Sequence, residues 1–194
     1  MEGEITVIAF DIEARGYSPK KHGIVSVGVC AGDTRGNVLF KLRWNVKSIA
    51  GQEFEPRCKT QFWDNHPSLL AALSVSQISA EQFAKEFRAF IDERPRNVYL
   101  LSDNPAFDAK FIDYYLDLYG HRGMQYDSTD DKVYRSIHDS DSYTRGRMGF
   151  GFEQQWVDDA KLPGIVLPEI TAHFPDDDAE KIYKVHVQVT AMKK

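Results

Sequence analysis

The sequence predicts an α/β protein built on a mixed sheet, and three observations carry that expectation. A short apolar run, Ile5 to Glu13 (ITVIAFDIE), reads as an opening strand. Two more strand-like runs follow, Ile24 to Cys30 and Asn37 to Val46, joined by the turn residues of AGDTRGN as in an antiparallel meander. The pattern then alternates between a helix at Ser79 to Glu93, a strand at Asn97 to Ser102 and a helix at Pro105 to Tyr119. Helices and strands alternating after a meander imply an α/β layer with a mixed sheet.

Each element has a local reason. In the first strand, β-branched and aromatic residues lead to two carboxylates two positions apart, Asp11 and Glu13, which in a strand share one face. Gly51 to Thr60 is expected to be irregular, and Gln61 to Leu73 to begin a short helix. The Ser79 to Glu93 helix places Phe83, Phe87, Phe90 and Ile91 on one face, with Ser79 as its cap and Pro95 beyond its end. The next helix carries an apolar stripe at Phe107, Phe111, Tyr114, Tyr115 and Leu118 and closes at Gly120. From Met124 to Gly164 the chain is polar and interrupted by glycine, and a partly mobile loop is expected, with Arg135, Arg145 and Arg147 available to a phosphate backbone. Val185 to Val189 alternates like a strand, yet Ile182, Val185 and Val189 share a helical face, and a helix is expected there.

Composition bounds the function. A chain of 194 residues with 42% hydrophobic content buries roughly 70% of its unfolded surface, enough for one core. Cys30 and Cys58 are too few for a disulfide framework. No apolar run approaches the about 18 residues of a membrane span, so a soluble, intracellular, cytoplasmic protein is expected. With 24 basic and 29 acidic residues the net charge is −5, which disfavours broad duplex binding. It leaves room for an acidic site that carries its own cations.

The chemistry is concentrated in three places. Asp11 and Glu13, held close, repel one another unless a cation neutralises them. In SDNPAFD, Asp108 falls in the first turn of a helix just after a strand, where the helix N-terminus favours a carboxylate. In HFPDDDA, His173 precedes Asp178 by five residues at the start of a helix. An imidazole that exchanges protons near neutrality suits a general base beside a metal ligand.

With these three motifs in this order, the chain resembles a DEDDh-type 3′-to-5′ exonuclease of the DnaQ-like family. Asp11 and Glu13 match the family's DxE, Asn104, Phe107 and Asp108 its second motif, and His173, Asp178 and Ala179 its third. The resemblance runs from Ile5 to about Thr190 and treats residues 1–194 as one exonuclease-like domain. It departs after DxE, where Ala14, Arg15 and Gly16 replace the usual threonine and glycine, leaving Arg15 as a candidate phosphate contact.

The resemblance implies a ribonuclease-H-like, mixed five-stranded sheet flanked by helices. It also implies two ions, Mg²⁺ or Mn²⁺, held by Asp11, Glu13, Asp108 and Asp178, with His173 as base. Asn104, Phe107, Arg15, Trp63 and Phe62 are the candidate substrate contacts, and Phe62, Trp63 and Tyr17 are candidates for stacking on bases, although an FW pair at the edge of a helix is more often core packing. The expected activity is hydrolysis of single-stranded RNA or DNA from the 3′ end to nucleoside 5′-monophosphates, and a homodimer is compatible with it. Three alternatives remain open: a non-catalytic binding module on the same fold, a phosphodiesterase for short oligonucleotides, and an endonuclease.

Overall fold

The computed structural model describes residues 7–127, 129, 135–150 and 161–192. β1 (Val7–Ala14) is followed by α1 (Pro19–His22), β2 (Ile24–Gly32) and β3 (Val38–Asn45). Three short helical pieces come next: α2 (Pro56–Gln61), a 3₁₀ turn (Trp63–Asn65) and α3 (Pro67–Leu73). Then come α4 (Ala80–Asp92), β4 (Tyr99–Ser102), α5 (Pro105–Leu118), β5 (Ile137–Asp139), α6 (Ser140–Met148) and α7 (Pro175–Ala191).

The strands form one five-stranded sheet in the order β3-β2-β1-β4-β5. β1, β2 and β3 pair antiparallel, with Asp11 opposite Gly28 and Glu13 opposite Ser26. β4 runs parallel to β1, with Ala9 opposite Leu101, and β5 runs parallel to β4, with Ser102 opposite Asp139. The expected mixed sheet and its opening meander are therefore present.

Side-chain alternation along β1 divides the protein into three layers. Ile8, Phe10 and Ile12 point to the face covered by α4 and α5, where Phe83, Phe87, Phe90, Phe111, Ile112 and Tyr115 are buried. Each such side chain contributes roughly 1.5–3 kcal/mol by leaving water. Val7 and Ala9 point to the other face and pack with Cys30 and Leu101 against Ala179, Ile182, Tyr183 and Val187 of α7. Asp11 and Glu13 continue this second row beyond the apolar part, so they emerge on the α7 side at the strand's end.

Several expectations need correction. The stretch read as irregular contains α2, whose cap is Glu55: its Oε2 accepts from the Cys58 N–H at 2.6 Å. In α5, Leu118 is exposed, while Ile112 and Leu116 take the buried positions. The segment read as a loop contains β5 and α6; α6 is capped by the Asp139 side chain, which accepts from Ser142 N, and ends at Gly149 in the left-handed region. The loop reading of residues 128, 130–134 and 151–160 lies outside the described residues.

Arg135 does not face solvent. It is 1% exposed, and its guanidinium donates to the carbonyls of Ile91, Arg94 and Tyr126. Arg145 pairs with Asp141 at 3.3 Å, and Arg147 donates to the Met192 carbonyl. The expected helix at 185–189 is part of α7, with Ile182, Val185 and Val189 buried. Among the described residues no helix is long and apolar enough to cross a membrane.

Candidate active site

Three chain segments deliver carboxylates to the same end of the sheet. β1 supplies Asp11 and Glu13. The turn after β4 and the first turn of α5 supply Asp103 and Asp108, and the first turn of α7 supplies Asp178. Two groups result. Ligand atoms of Glu13, His173 and Asp178 all lie within 4.8 Å of one another, and so do those of Asp11, Asp103 and Asp108.

The position of Asp178 depends on how α7 docks. Of the three consecutive aspartates, Asp176 pairs with Arg43 of β3 at 3.1 Å, and Asp177 is held by Lys41 of β3 and by the Thr171 N–H. Lys41 also reaches Glu180 at 2.9 Å. These bonds tie the first turn to the sheet and leave Asp178 turned toward Glu13. The approach needs Gly28, opposite Asp11: a Cβ there would overlap the Asp176 nitrogen and the Pro175 backbone.

Asp108 is 2% exposed and held from behind. The buried Ser102 hydroxyl donates to Asp108 Oδ2 and accepts from the Asn104 N–H at 2.9 Å. The Asn104 carbonyl in turn accepts from the Phe107 and Asp108 N–H groups. Asn104 thus opens α5 through its backbone, with no capping bond from its side chain.

His173 stands on the lead-in to α7 at φ +66°, a left-handed conformation that costs an L-residue roughly 1–2 kcal/mol. Its Nδ1 lies 3.5 Å from Glu13 Oε1, and its side chain is 46% exposed. The ring meets the edge of Phe62 at 4.9 Å and that of His66 at 5.5 Å between centroids, and Phe62 and His66 stack on each other at 4.6 Å. His66 is fixed in turn, its Nδ1 2.8 Å from the Phe62 carbonyl.

The electrostatics are those of a site short of positive charge. Burial first, then Asp108 and Glu13, hold the Asp11 carboxyl well above the carboxylate range. Burial raises Asp108 likewise, against the lowering effect of Ser102. Glu13 and Asp178 are also raised by burial. The hydrogen bond to Glu13 raises His173. Clustered carboxylates that resist ionisation together fit a divalent cation.

The remaining sequence candidates divide. Trp63 is 1% exposed, and its Nε1–H donates to the Ala14 carbonyl at 3.1 Å, so it is a core residue and not a base-stacking surface. Arg15 is buried too: Nη1 donates to the Ile24 carbonyl and the guanidinium lies over Phe54, 5.4 Å from the ring centroid. Its charge serves the β1–β2 connection instead of a phosphate. Phe62, Phe107 and Tyr17 remain accessible, Tyr17 being 66% exposed. Asp103 and His66 were not anticipated. Asp103 had a signal in its place at the end of β4 beside Asn104, whereas His66 had none, since only folding brings it to His173.

Neither a family model nor a curated protein sequence matches the chain. Solved structures do. An Escherichia coli exonuclease I complex with single-stranded DNA, in its zinc-ion-bound form, superposes with a TM-score of 0.60 at 14% identity, over 95% of this chain and 39% of that one. Exonuclease I in complex with the inhibitor BCBP gives 0.67 at 12% identity over 99% and 42%. A moderately thermophilic exonuclease I from Methylocaldum szegediense gives 0.61 at 13% over 93% and 39%. The chain spans about two fifths of the length of these proteins. At such identities the likeness is one of fold, and the fold is the expected ribonuclease-H-like α/β arrangement.

Proposed function

We propose that residues 1–194 form a DEDDh-type exonuclease domain that removes nucleotides from the 3′ end of single-stranded nucleic acid, using divalent cations. The observation that carries this reading is the meeting of Asp11, Glu13, Asp108 and Asp178 with His173 at one sheet end, in two groups whose ligand atoms lie within 4.8 Å. The exonuclease I structures, one holding zinc and single-stranded DNA, support it through their fold.

Asp11, Glu13, Asp108 and Asp178 would hold the cations, with Asp103 as a further oxygen donor beside Asp11. When bound, a pair of Mg²⁺ or Mn²⁺ ions supplies charge stabilisation at the attacking and leaving oxygens of an in-line displacement at phosphorus. The protein's own groups do the rest. His173 takes the proton of the attacking water, a contribution of roughly 10²- to 10⁴-fold for a positioned base. The water oxygen bonds to phosphorus, the bond to the preceding 3′ oxygen breaks, and that oxygen takes a proton from solvent water while His173 releases the one it accepted back to solvent. A nucleoside 5′-monophosphate and a strand shortened by one nucleotide are the products.

Two contacts keep the base in place. Glu13 faces His173 Nδ1, and the Phe62–His66 stack supports the ring from the side. Ser102 fixes the Asp108 carboxylate from behind. The test is a gel assay with 5′-labelled single-stranded RNA and DNA in Mg²⁺, Mn²⁺ or chelator, beside Asp11→Ala. The expected result is a metal-dependent ladder shortening from the 3′ end and absent in the variant; intact strands under every metal would overturn the reading.

A further inference from the structure

A cleft of about 340 Å³ opens beside the carboxylates, lined by Ala14, Gly16, Tyr17, Arg57, Phe62 and Phe107 among others. It adjoins the candidate site through Phe62, whose ring meets that of His173, and its lining includes Ala14 and Phe107, the chain neighbours of Glu13 and Asp108. Its walls are mostly apolar. Gly16, at φ +155°, forms part of one wall, packed so closely that a Cβ there would run into Glu55 and His22.

The rim has the opposite character. Lys110 of α5 contacts two of the lining residues: its Nζ donates to the Tyr17 carbonyl at 3.0 Å and lies 5.3 Å from the Phe107 ring centroid. Lys20 and Lys21 of α1 stand exposed just past Tyr17, whose ring is braced edge-on by His22 at 5.3 Å. Arg57 of α2 is exposed on the side of Phe62. Of the acidic residues adjoining the cleft, Glu55 is engaged in capping α2 through the Cys58 N–H. An apolar trough edged with cations is unexpected at this end of a chain whose net charge is −5.

We infer that this cleft and its rim are the track of a single nucleic-acid strand, with base and sugar against Tyr17, Phe62 and Phe107 and the neighbouring phosphates against Lys20, Lys21, Arg57 and Lys110. The inference rests on the nuclease reading and adds to it the path by which the strand meets the site. A flexible single strand fits because its bases are free to turn onto aromatic walls while its backbone follows a basic edge. A duplex would keep its bases stacked and leave these walls unused. The strand's grip is therefore local, which reconciles a nucleic-acid substrate with an acidic protein.

The experiment compares the parent with Lys20→Glu/Lys21→Glu and, separately, Lys110→Gln. Each is assayed on a single-stranded 12-mer, and the double variant also on the p-nitrophenyl ester of thymidine 5′-monophosphate, a single nucleotide that lacks the neighbouring phosphates assigned to Lys20 and Lys21. The expected result is that kcat/KM for the 12-mer falls about tenfold or more at low salt in each variant, converging with the parent as salt rises, while hydrolysis of the ester by Lys20→Glu/Lys21→Glu stays within twofold. Equal losses on both substrates in Lys20→Glu/Lys21→Glu, or unchanged 12-mer hydrolysis in both variants, would overturn the track.

Binding of the 12-mer in chelator, followed by anisotropy, reads the track without catalysis. There the dependence of log Kd on log salt should weaken by about 0.7 for each phosphate contact removed. If the parent hydrolyses neither substrate yet shows this change of slope, the nuclease reading falls and the track stands. If a polyglutamate 12-mer competes as strongly as the nucleic acid, the surface is a site for acidic peptides and the track falls.

Discussion

The imidazole of His173 faces the carboxylate of Glu13, Nδ1 to Oε1, at 3.5 Å. This one relationship joins the two halves of the proposed chemistry, since Glu13 is wanted by a cation and His173 by a proton. Without metal, the hydrogen bond to Glu13 holds the imidazole pKa above its ordinary 6.5. A cation on Glu13 competes for the same oxygens and removes part of that support. The His173 ring signals in NMR are thus expected to titrate above pH 6.5 in chelator and at lower pH once Mg²⁺ is added. The sign for stability follows: a raised imidazole stabilises the fold fully below the unfolded value, and that contribution disappears as pH rises through the folded one. An identical titration with and without Mg²⁺ would separate Glu13 from the metal.

Removing the ring tests its role directly. His173→Ala is expected to lower kcat by about 10²-fold or more while leaving the metal-dependent shift in Tm largely intact. Phe62→Ala, which removes the edge supporting the ring and also unstacks His66, should lower kcat by a smaller factor, about tenfold. Unchanged turnover of His173→Ala at saturating Mg²⁺ would show that another group takes the proton.

The carboxylates make a second pH statement, of unusual sign. Asp11 and Asp108 are both raised above the ordinary 3.8, chiefly by burial. The folded protein therefore holds protons that the unfolded chain releases, and stability falls as pH rises from the unfolded value through the folded ones. Metal-free protein should melt lower at pH 8 than at pH 5, and Mn²⁺ at about 100 times its Kd should restore about 2.7 kcal/mol at pH 8. Asp11→Asn relieves the repulsion and removes a ligand, so its metal-free Tm at pH 8 should rise and its response to Mn²⁺ shrink. Scanning fluorimetry in chelator and in Mn²⁺ checks both signs.

How much of this was legible in the sequence depended on whether a short-range rule governed each residue. Asp11 and Glu13 were legible because strand alternation puts residues two apart on one face, and His173 with Asp178 because a helix start orders its own first turn. The same rules misplace Arg15 and Trp63. The ladder of β1 and β2 shifts register between Glu13 and Ala14. The chain beyond it turns inward, so Arg15 points at the Ile24 carbonyl and the Ala14 carbonyl is capped by Trp63. No local pattern records that turn.

β5 and α6 escaped for a different reason. Three residues are too few to show alternation, and SDSYTRGRM has a glycine within a polar helix whose buried side is limited to Ser140 and Thr144. Their places are set by β4 and α7 and not by their own periodicity. Asp103 and His66 likewise gain meaning only from neighbours distant in sequence.

The docking of α7 on β2 offers the sharpest structural prediction. Gly28→Ala would put a methyl group where the backbone of Pro175 and Asp176 runs, and backbone cannot step aside as a flexible side chain does. The first turn of α7 must then lift from the sheet, straining the Asp176–Arg43 and Asp177–Lys41 pairs and carrying Asp178 away from Glu13. Overpacking of this kind costs roughly 1–3 kcal/mol, and a displacement of about 1 Å at a reacting site costs about 10²-fold in rate. Gly28→Ala is expected to lower Tm and to lose more activity than the stability loss explains, with a weaker Mn²⁺ response as the separate sign that Asp178 has moved. Gly146→Ala is the control: it lies within α6 with open space where its Cβ would stand, so it should leave activity unchanged and raise helix stability by about 1 kcal/mol. Parent-like melting and turnover in Gly28→Ala would mean that the glycine is not what lets α7 seat Asp178.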